Sequence, residues 1–176
     1  MAAADRPRAA AMTVAHPVAT IWTMKSRSRA LAYVTRPLTL ADTQGALALF
    51  DVLTTGPKGG DAQMFARVVS HDGTTVFGVL EKNTPCAMCT LHLLPNVTWG
   101  GRPYGLIENV VTAPAYRLRG LGRRAMQAAL DHAWAQRAYK VMLLTGQKRG
   151  ACGFYESVGF SCEDKFGMVI RRATAR

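Results

Sequence analysis

A short segment with two glycines and four arginines has the residue types needed to bind a phosphate group. It follows the apolar residues Val110 and Val111 and leads into an alanine-rich stretch. Backbone N–H groups at the start of a helix attract anions, and glycine lets a phosphate approach without a Cβ in the way. The pattern predicts a pyrophosphate-binding loop between a strand and a helix. Its residues are Arg117, Leu118, Arg119, Gly120, Leu121, Gly122, Arg123 and Arg124.

This loop differs from the common nucleotide-binding loops. The chain contains no G-x-x-x-x-G-K-[ST] pattern, and Ala125 stands where a third glycine of G-x-G-x-x-G would fall. The expected acidic residue about 20 positions later is also missing, since Tyr139 and Lys140 lie there. The sequence therefore disfavours a dinucleotide site. A glycine turn with a solvated basic edge remains the alternative interpretation.

Two motifs at a characteristic spacing resemble those of GNAT acetyltransferases. Arg117–Gly122 matches their R/Q-x-x-G-x-G/A pattern, and Phe154-Tyr155-Glu156, followed by Gly159-Phe160, resembles their second motif. Residues 107–160 resemble the glucosamine-6-phosphate N-acetyltransferases within that family. The resemblance implies acetyl-CoA as cosubstrate and an amine as acceptor. The family's asparagine is missing from residues 146–151, where Gln147 could substitute, or Lys148 and Arg149 could contact a phosphate.

The resemblance also implies a mechanism, in which a neutral amine attacks the acetyl carbonyl directly. A backbone N–H near Val110 or Val111 would stabilise the oxyanion, and Tyr155 would protonate the leaving thiolate. Glu108 is the candidate base because a lone carboxylate in a buried strand is costly without a partner or a task. The alternatives are a packing role for Tyr155 and an arginine partner for Glu108. His92 is a weaker candidate base.

The spacing of Cys86, Cys89 and His92 suggests zinc, but the sequence argues against a metal site there. In a strand, residues three apart point to opposite faces. A structural zinc site also needs four ligands. We therefore expect both thiols in the core and no metal at this position.

Hydrophobic periodicity predicts a mixed α/β (α+β) fold with helices on both faces of the sheet. The resemblance implies a splayed GNAT-like sheet of about six to seven strands. The predicted strands are 32–38, 74–80, 86–94, 104–112, 139–145 and 165–171. A tight connection at Lys82-Asn83 is expected to join the second and third strands as a β-hairpin. The predicted helices begin at Thr39, at Asp61, at Gly120 and at Gly150, and Gly159 is expected to cap the last one.

Composition limits the remaining classes of protein. The 176 residues suit a single domain, expected at 31–176, after a poorly ordered basic extension at 1–30. A transit peptide or a misplaced start codon would also explain that extension. The chain contains no apolar run of 18 or more residues, so no membrane span is predicted. Its four cysteines are too few for a disulfide scaffold and suggest a reducing compartment, the cytoplasm.

The net charge of +11 favours anionic partners, but it does not indicate which class of anion binds. A nucleic acid is not expected, because the aromatic residues fall within predicted elements. The expected partner is a small-molecule amine, and a homodimer is left open. The competing functions are a non-catalytic acyl-CoA-binding module and a protein N-terminal or lysine acetyltransferase.

Overall fold

A computed structural model of the protein describes residues 33–54 and 60–172. The predicted extension at 1–30 lies outside this part of the chain. In the described part, the strands are β1 (Tyr33–Pro37), β2 (Thr74–Glu81), β3 (Thr84–Leu94), β4 (Tyr104–Thr112) and β5 (Val141–Leu143). The α-helices are α1 (Thr43–Leu53), α2 (Ala62–Val69), α3 (Leu121–Ala135) and α4 (Cys152–Glu156). Short 3-10 turns occupy Leu40–Asp42, Pro114–Tyr116 and Gln147–Arg149, and a helical turn with left-handed Trp99 and Gly100 occupies Thr98–Gly101.

The strands form one sheet in the order β1-β2-β3-β4-β5. Pairing is antiparallel from β1 to β4 and parallel between β4 and β5. The predicted hairpin between β2 and β3 is confirmed. Its two turn residues, Lys82 and Asn83, have φ of 48° and 67°, as the favoured two-residue hairpin turn requires.

Helices cover both faces of the sheet, which confirms the predicted fold class. Residue alternation along the strands sends Phe77 and Cys89 toward α3, while Val76 and Met88 pack on the side of α1 and α2. Helix α3 can lie close to the sheet because its buried stripe is rich in alanine, including three alanines that are fully buried: Ala125, Ala129 and Ala133.

The predicted Thr39 cap is confirmed as a capping box. The Asp42 carboxylate accepts hydrogen bonds from the Thr39 backbone N–H at 2.8 Å and from both Arg36 guanidinium nitrogens at 2.7 and 2.9 Å. The hydrogen bond from Arg36 is the main reason that the pKa of Asp42 is lowered. This ion pair, in which Asp42 is buried and Arg36 is partly exposed, fixes the chain between β1 and α1.

The predicted strand at 165–171 is wrong, and within residues 33–54 and 60–172 the sheet has five strands instead of six or seven. Residues 165–172 form no ladder with any strand in the described part of the chain. Phe166, Met168 and Ile170 are 93–100% exposed. The alternating apolar pattern that suggested a strand is present, but a strand forms only where another strand offers its backbone groups.

Two further predicted elements are shorter than expected. The strand predicted at 139–145 is reduced to Val141–Leu143, and the helix predicted at 150–157 covers Cys152–Glu156. No helix in the described ranges has the length and apolarity to cross a bilayer.

Candidate active site

The sheet opens between β4 and β5. Their parallel ladder joins Gly105 to Val141, Leu106 to Met142 and Ile107 to Leu143, and it ends there. Beyond Ile107, β4 continues for five residues to Thr112 without β5 beside it. The backbone groups on this side of β4 are therefore available to a ligand instead of a strand.

A β-bulge interrupts the other side of β4 at the same level. Thr90 pairs with Glu108 and Met88 pairs with Val111, so that Cys89 alone faces both Asn109 and Val110. Asn109 has φ of 56°, in the left-handed region. A bulge of this kind leaves one residue out of the ladder and redirects its neighbours. The bulge therefore lies at Asn109 and Val110, where the sequence predicts the oxyanion donor.

The predicted phosphate loop joins β4 to α3, as the sequence indicates. Gly120 adopts φ of 76° as the residue before the helix, and a Cβ placed there would meet no heavy atom within 4 Å. Leu118 also has a left-handed φ of 60° and is fully exposed. The start of α3 is thus open to solvent and accessible to an anion.

The four arginines of the loop also contact the protein itself. Arg123 donates hydrogen bonds to the carbonyl oxygen of Ser157 at 2.6 Å and to its Oγ at 2.8 Å. These bonds join the first turn of α3 to the end of α4. The other three make single bonds: Arg117 to Thr112 O, Arg119 to Tyr33 Oη and Arg124 to Tyr33 O, at 3.1–3.3 Å.

Gly122 has a packing reason for being glycine. A Cβ at this position would lie 3.2 Å from Thr112 Oγ1 and 3.5 Å from the Phe154 ring. A Cβ at this position would therefore touch the Phe154 ring and would require the Thr112 hydroxyl to shift by a few tenths of an ångström. The two glycines of the loop thus differ, since Gly120 faces open space and Gly122 faces the protein.

Tyr155 is half-buried on α4, with its ring edge-on to Phe154 and Phe160. Burial is the main cause of a raised pKa for its hydroxyl, and the negative charge of Glu108 adds to it. The positive charge of Arg149 and a hydrogen bond with Thr145 act in the opposite direction. Tyr155 and Glu108, which the sequence analysis selected separately, are thus within electrostatic range of each other.

Glu108 lies on β4 directly opposite Thr90 of β3. Thr90 is 1% exposed, and its hydroxyl has no hydrogen-bond partner in the described part of the chain. Cross-strand neighbours in register project on the same side of the sheet. A polar pair therefore lies beside the opening between β4 and β5.

The other sequence candidates have structural roles. His92 Nδ1 lies 2.9 Å from the Thr74 hydroxyl, which also contacts His71 Nδ1 at 3.1 Å. Cys86 and Cys89 are core residues, as predicted, and their thiols donate to different carbonyl groups. Burial raises the pKa of Cys89 to about 12.

Sequence reasoning missed the contribution of Arg149 to the surroundings of Tyr155. The basic pair Lys148-Arg149 was considered only as a contact for a phosphate. No local pattern shows that the 3-10 turn at Gln147–Arg149 brings a positive charge toward a tyrosine six residues later. The Arg123–Ser157 link was missed for the same reason, because its two residues are 34 positions apart.

Comparisons with known proteins identify the family of this chain. A sequence model of the family described as "Acetyltransferase (GNAT) family" matches residues 47–160. A glucosamine 6-phosphate N-acetyltransferase of Trypanosoma brucei brucei is 31% identical over 134 residues, which represent 74% of this chain and 90% of that protein.

Solved structures share the fold. A candidate acetyltransferase from Agrobacterium tumefaciens str. C58 has a TM-score of 0.74 and 40% identity, covering 79% of this chain and 99% of that one. A Trypanosoma brucei acetyltransferase has a TM-score of 0.68 and 26% identity, covering 79% and 99%. A glucosamine-6-phosphate N-acetyltransferase from Arabidopsis thaliana, at 21% identity and a TM-score of 0.69, covers 81% and 99% and shows the fold alone.

The balance of charges around Tyr155 is testable. An ordinary tyrosine is half ionised at about pH 10. Because the pKa of Tyr155 is raised, we expect its hydroxyl to remain mostly protonated at that pH. Arg149→Gln should raise this pKa further, and Glu108→Gln should lower it. Titration of the tyrosine ring carbons by NMR measures the pKa of Tyr155 in the wild type and in both variants, and Tyr155→Phe assigns the signal. A Tyr155 signal that titrates at the ordinary value, or does not respond to either variant, contradicts the arrangement.

Proposed function

Because the chain belongs to the GNAT family of acetyltransferases, we propose that it transfers the acetyl group of acetyl-CoA to a primary amine of a small molecule. The observation that carries the proposal is the opening between β4 and β5. The predicted phosphate loop follows β4, and Glu108 on β4 is near enough to Tyr155 to add to the rise in its pKa. One ligand lying along β4 would place its phosphates at the loop and its thioester at the opening.

The proposed cofactor contacts are chiefly backbone groups. Val110 and Val111 lie on the stretch of β4 that β5 leaves unpaired, where an extended pantetheine arm could replace a strand. The exposed N–H groups between Leu118 and Gly122 would bind the pyrophosphate, helped by the dipole of α3. The arginines would supply a positive potential while their hydrogen bonds hold the loop in shape.

In the proposed reaction a neutral amine attacks the thioester carbonyl. The carbonyl oxygen becomes an oxyanion, and a backbone N–H at the bulge near Val110 would stabilise it. Glu108 would accept the proton released by the amine, directly or through a water molecule. Collapse of the intermediate forms the amide and expels the CoA thiolate.

Tyr155 is the proposed proton donor to this thiolate. A phenol with a raised pKa is neutral at physiological pH, which keeps the proton available. The same raised pKa opposes complete transfer to a thiolate, because a thiol is ordinarily more acidic than a phenol. The positive charge of Arg149 lowers the pKa of Tyr155 and would make the transfer easier.

The acceptor is proposed to be a small molecule because a glucosamine 6-phosphate N-acetyltransferase matches over most of both chains. Glucosamine 6-phosphate is therefore the first amine to test, by release of free CoA thiol. A panel of amino sugars, aminoglycosides and peptides with free N-termini or lysines distinguishes the acceptor classes. Thiol release with peptides alone would favour a protein acetyltransferase, and release with none would favour an acyl-CoA-binding module.

We also propose a homodimer in a reducing compartment, the cytoplasm. The exposed apolar residues of segment 165–172 support this proposal, because a second copy of the chain would remove them from water. All four cysteines are free thiols, as expected where thiols remain reduced. Fractionation of cells producing the protein checks the compartment.

The loop assignment predicts a loss of cofactor binding in Gly120→Val. A valine at this position would be strained by the φ of 76°, and its side chain would occupy the open space at the loop. Gly100→Val is the matched control, because Gly100 has φ of 66° and equally open surroundings in a different loop. We expect acetyl-CoA to raise the melting temperature of the wild type and of the control, but not of Gly120→Val. Equal binding by all three proteins would contradict the assignment.

The catalytic roles predict two different changes in the pH–rate profile. Tyr155→Phe should lower turnover by about 10²–10⁴-fold and move the basic limb, since it removes the hydroxyl and keeps the ring. Glu108→Gln should lower turnover most at low pH, where removal of the amine proton needs the most assistance. Acetyl-CoA affinity should change little in either variant.

Tyr139→Phe and Glu163→Gln are the matched controls for these variants, because they make the same changes outside the site. Both should retain the wild-type profile. A wild-type rate for Tyr155→Phe, under conditions where chemistry limits turnover, would leave Tyr155 as a packing residue. An unchanged profile for Glu108→Gln would remove Glu108 from the mechanism.

The dimer proposal predicts twice the 19.1 kDa mass of one chain in solution, measured by light scattering after size-exclusion chromatography. A Phe166→Asp and Ile170→Asp double variant should be monomeric, since charges replace the exposed apolar residues. Val97→Asp, at a 95% exposed site outside the segment, should remain dimeric. A monomeric wild type, or a dimeric double variant, would refute the proposed interface.

A further inference from the structure

Two thiols and one carboxylate converge on the surface beside α4. Cys152 and Glu156 are four residues apart on this helix and share one face. The Sγ atoms of Cys152 and Cys162 each lie 3.7 Å from Glu156 Oε1. All three potential ligand atoms lie within 4.8 Å of one another.

The backbone brings Cys162 back to the helix. Gly159 has φ of 101°, its N–H donates to Glu156 O at 2.9 Å, and the Phe160 N–H donates to Tyr155 O at 3.1 Å. This pair of hydrogen bonds is the Schellman motif, which ends a helix and reverses the chain. The meeting of the three side chains therefore follows from backbone hydrogen bonds and does not require an attraction between the thiols.

The distances fit a tetrahedral metal ion better than a disulfide. With metal–sulfur bonds of about 2.3 Å and metal–oxygen bonds of about 2.0–2.2 Å, the edge between sulfur and oxygen is about 3.5 Å. Both observed sulfur–oxygen distances are 3.7 Å. A disulfide would need a sulfur–sulfur distance of about 2 Å and would give the carboxylate no role.

Electrostatics also favour a cation at this position. Two thiolates bound beside the Glu156 carboxylate would place three negative charges within 4.8 Å of one another. Residues 150–164 contain three acidic residues and no lysine or arginine, in a chain of net charge +11. A divalent cation would remove this local repulsion.

We propose that Cys152, Glu156 and Cys162 bind one thiophilic divalent cation of the zinc class, with water as the fourth ligand. Two thiolates select for a soft or borderline metal over magnesium or calcium. All three side chains are exposed, which leaves the fourth position open to solvent. Binding releases the two thiol protons, so that affinity increases with pH. The ion joins the helix that carries Tyr155 to the segment that follows Phe160.

Cobalt(II) tests the site independently of enzymatic activity. The full chain, kept reduced with a phosphine, is titrated with Co²⁺ while the sulfur-to-cobalt charge-transfer absorption is followed. We expect saturation at one equivalent, displacement by Zn²⁺ with loss of the band, and a higher melting temperature with Zn²⁺. The buried thiols of Cys86 and Cys89 do not compete, since both are at most 2% exposed.

Substitutions assign the ligands. Cys152→Ser and Cys162→Ser should each lower Co²⁺ affinity by at least about tenfold and weaken the charge-transfer band. Glu156→Gln should also lower the affinity, but the band should remain because both sulfur ligands are present. Glu163→Gln, next to Cys162 but outside the cluster, should bind as the wild type does. Melting temperatures without metal show whether each variant is folded. Absence of the band in the reduced wild type, or equal binding by the Cys152→Ser and Cys162→Ser double variant, overturns the proposal.

Discussion

The end of the β4–β5 ladder after Ile107 and Leu143 is the constraint on which the rest of the site depends. From that point β4 is paired on one side only, and the bulge at Asn109 disturbs even that pairing. Buried backbone groups need partners. A fold that withdraws β5 at this level therefore creates a place for an extended, hydrogen-bonding ligand. The loop at residues 117–124 and α4 lie at the same end of the sheet, because the loop follows β4, α4 follows β5, and these two strands are parallel.

The charge of the loop and its hydrogen bonds perform different tasks. Arg123 joins α3 to α4 through Ser157, while the positive potential of its guanidinium remains available to an anion. Two opposing effects also act on Tyr155, because burial raises the pKa of its hydroxyl and the positive charge of Arg149 lowers it. A partly buried site magnifies each of these charge effects because its dielectric constant is lower than that of water. Small movements of α4 would therefore alter both the anchoring and the acidity of Tyr155.

The sequence by itself determined the features that depend on neighbouring residues. The Thr39 cap, the hairpin turn at Lys82 and the glycine cap at Gly159 were all predicted correctly, because each needs only a few adjacent residues with suitable φ angles or side chains. The loop around Gly120 was recognisable for the same reason, since a strand, a glycine turn and a helix follow one another directly.

Only the tertiary structure decided the features that join distant residues. The bulge at Asn109 depends on the register between β3 and β4, and the partner of Arg123 lies 34 residues away. Segment 165–171 has the alternation of a strand but no ladder, because its backbone hydrogen bonds must come from another strand. Cys162 meets Cys152 only after the chain reverses at Gly159. Local patterns determine what a segment can form, whereas its partners are set by the path of the whole chain.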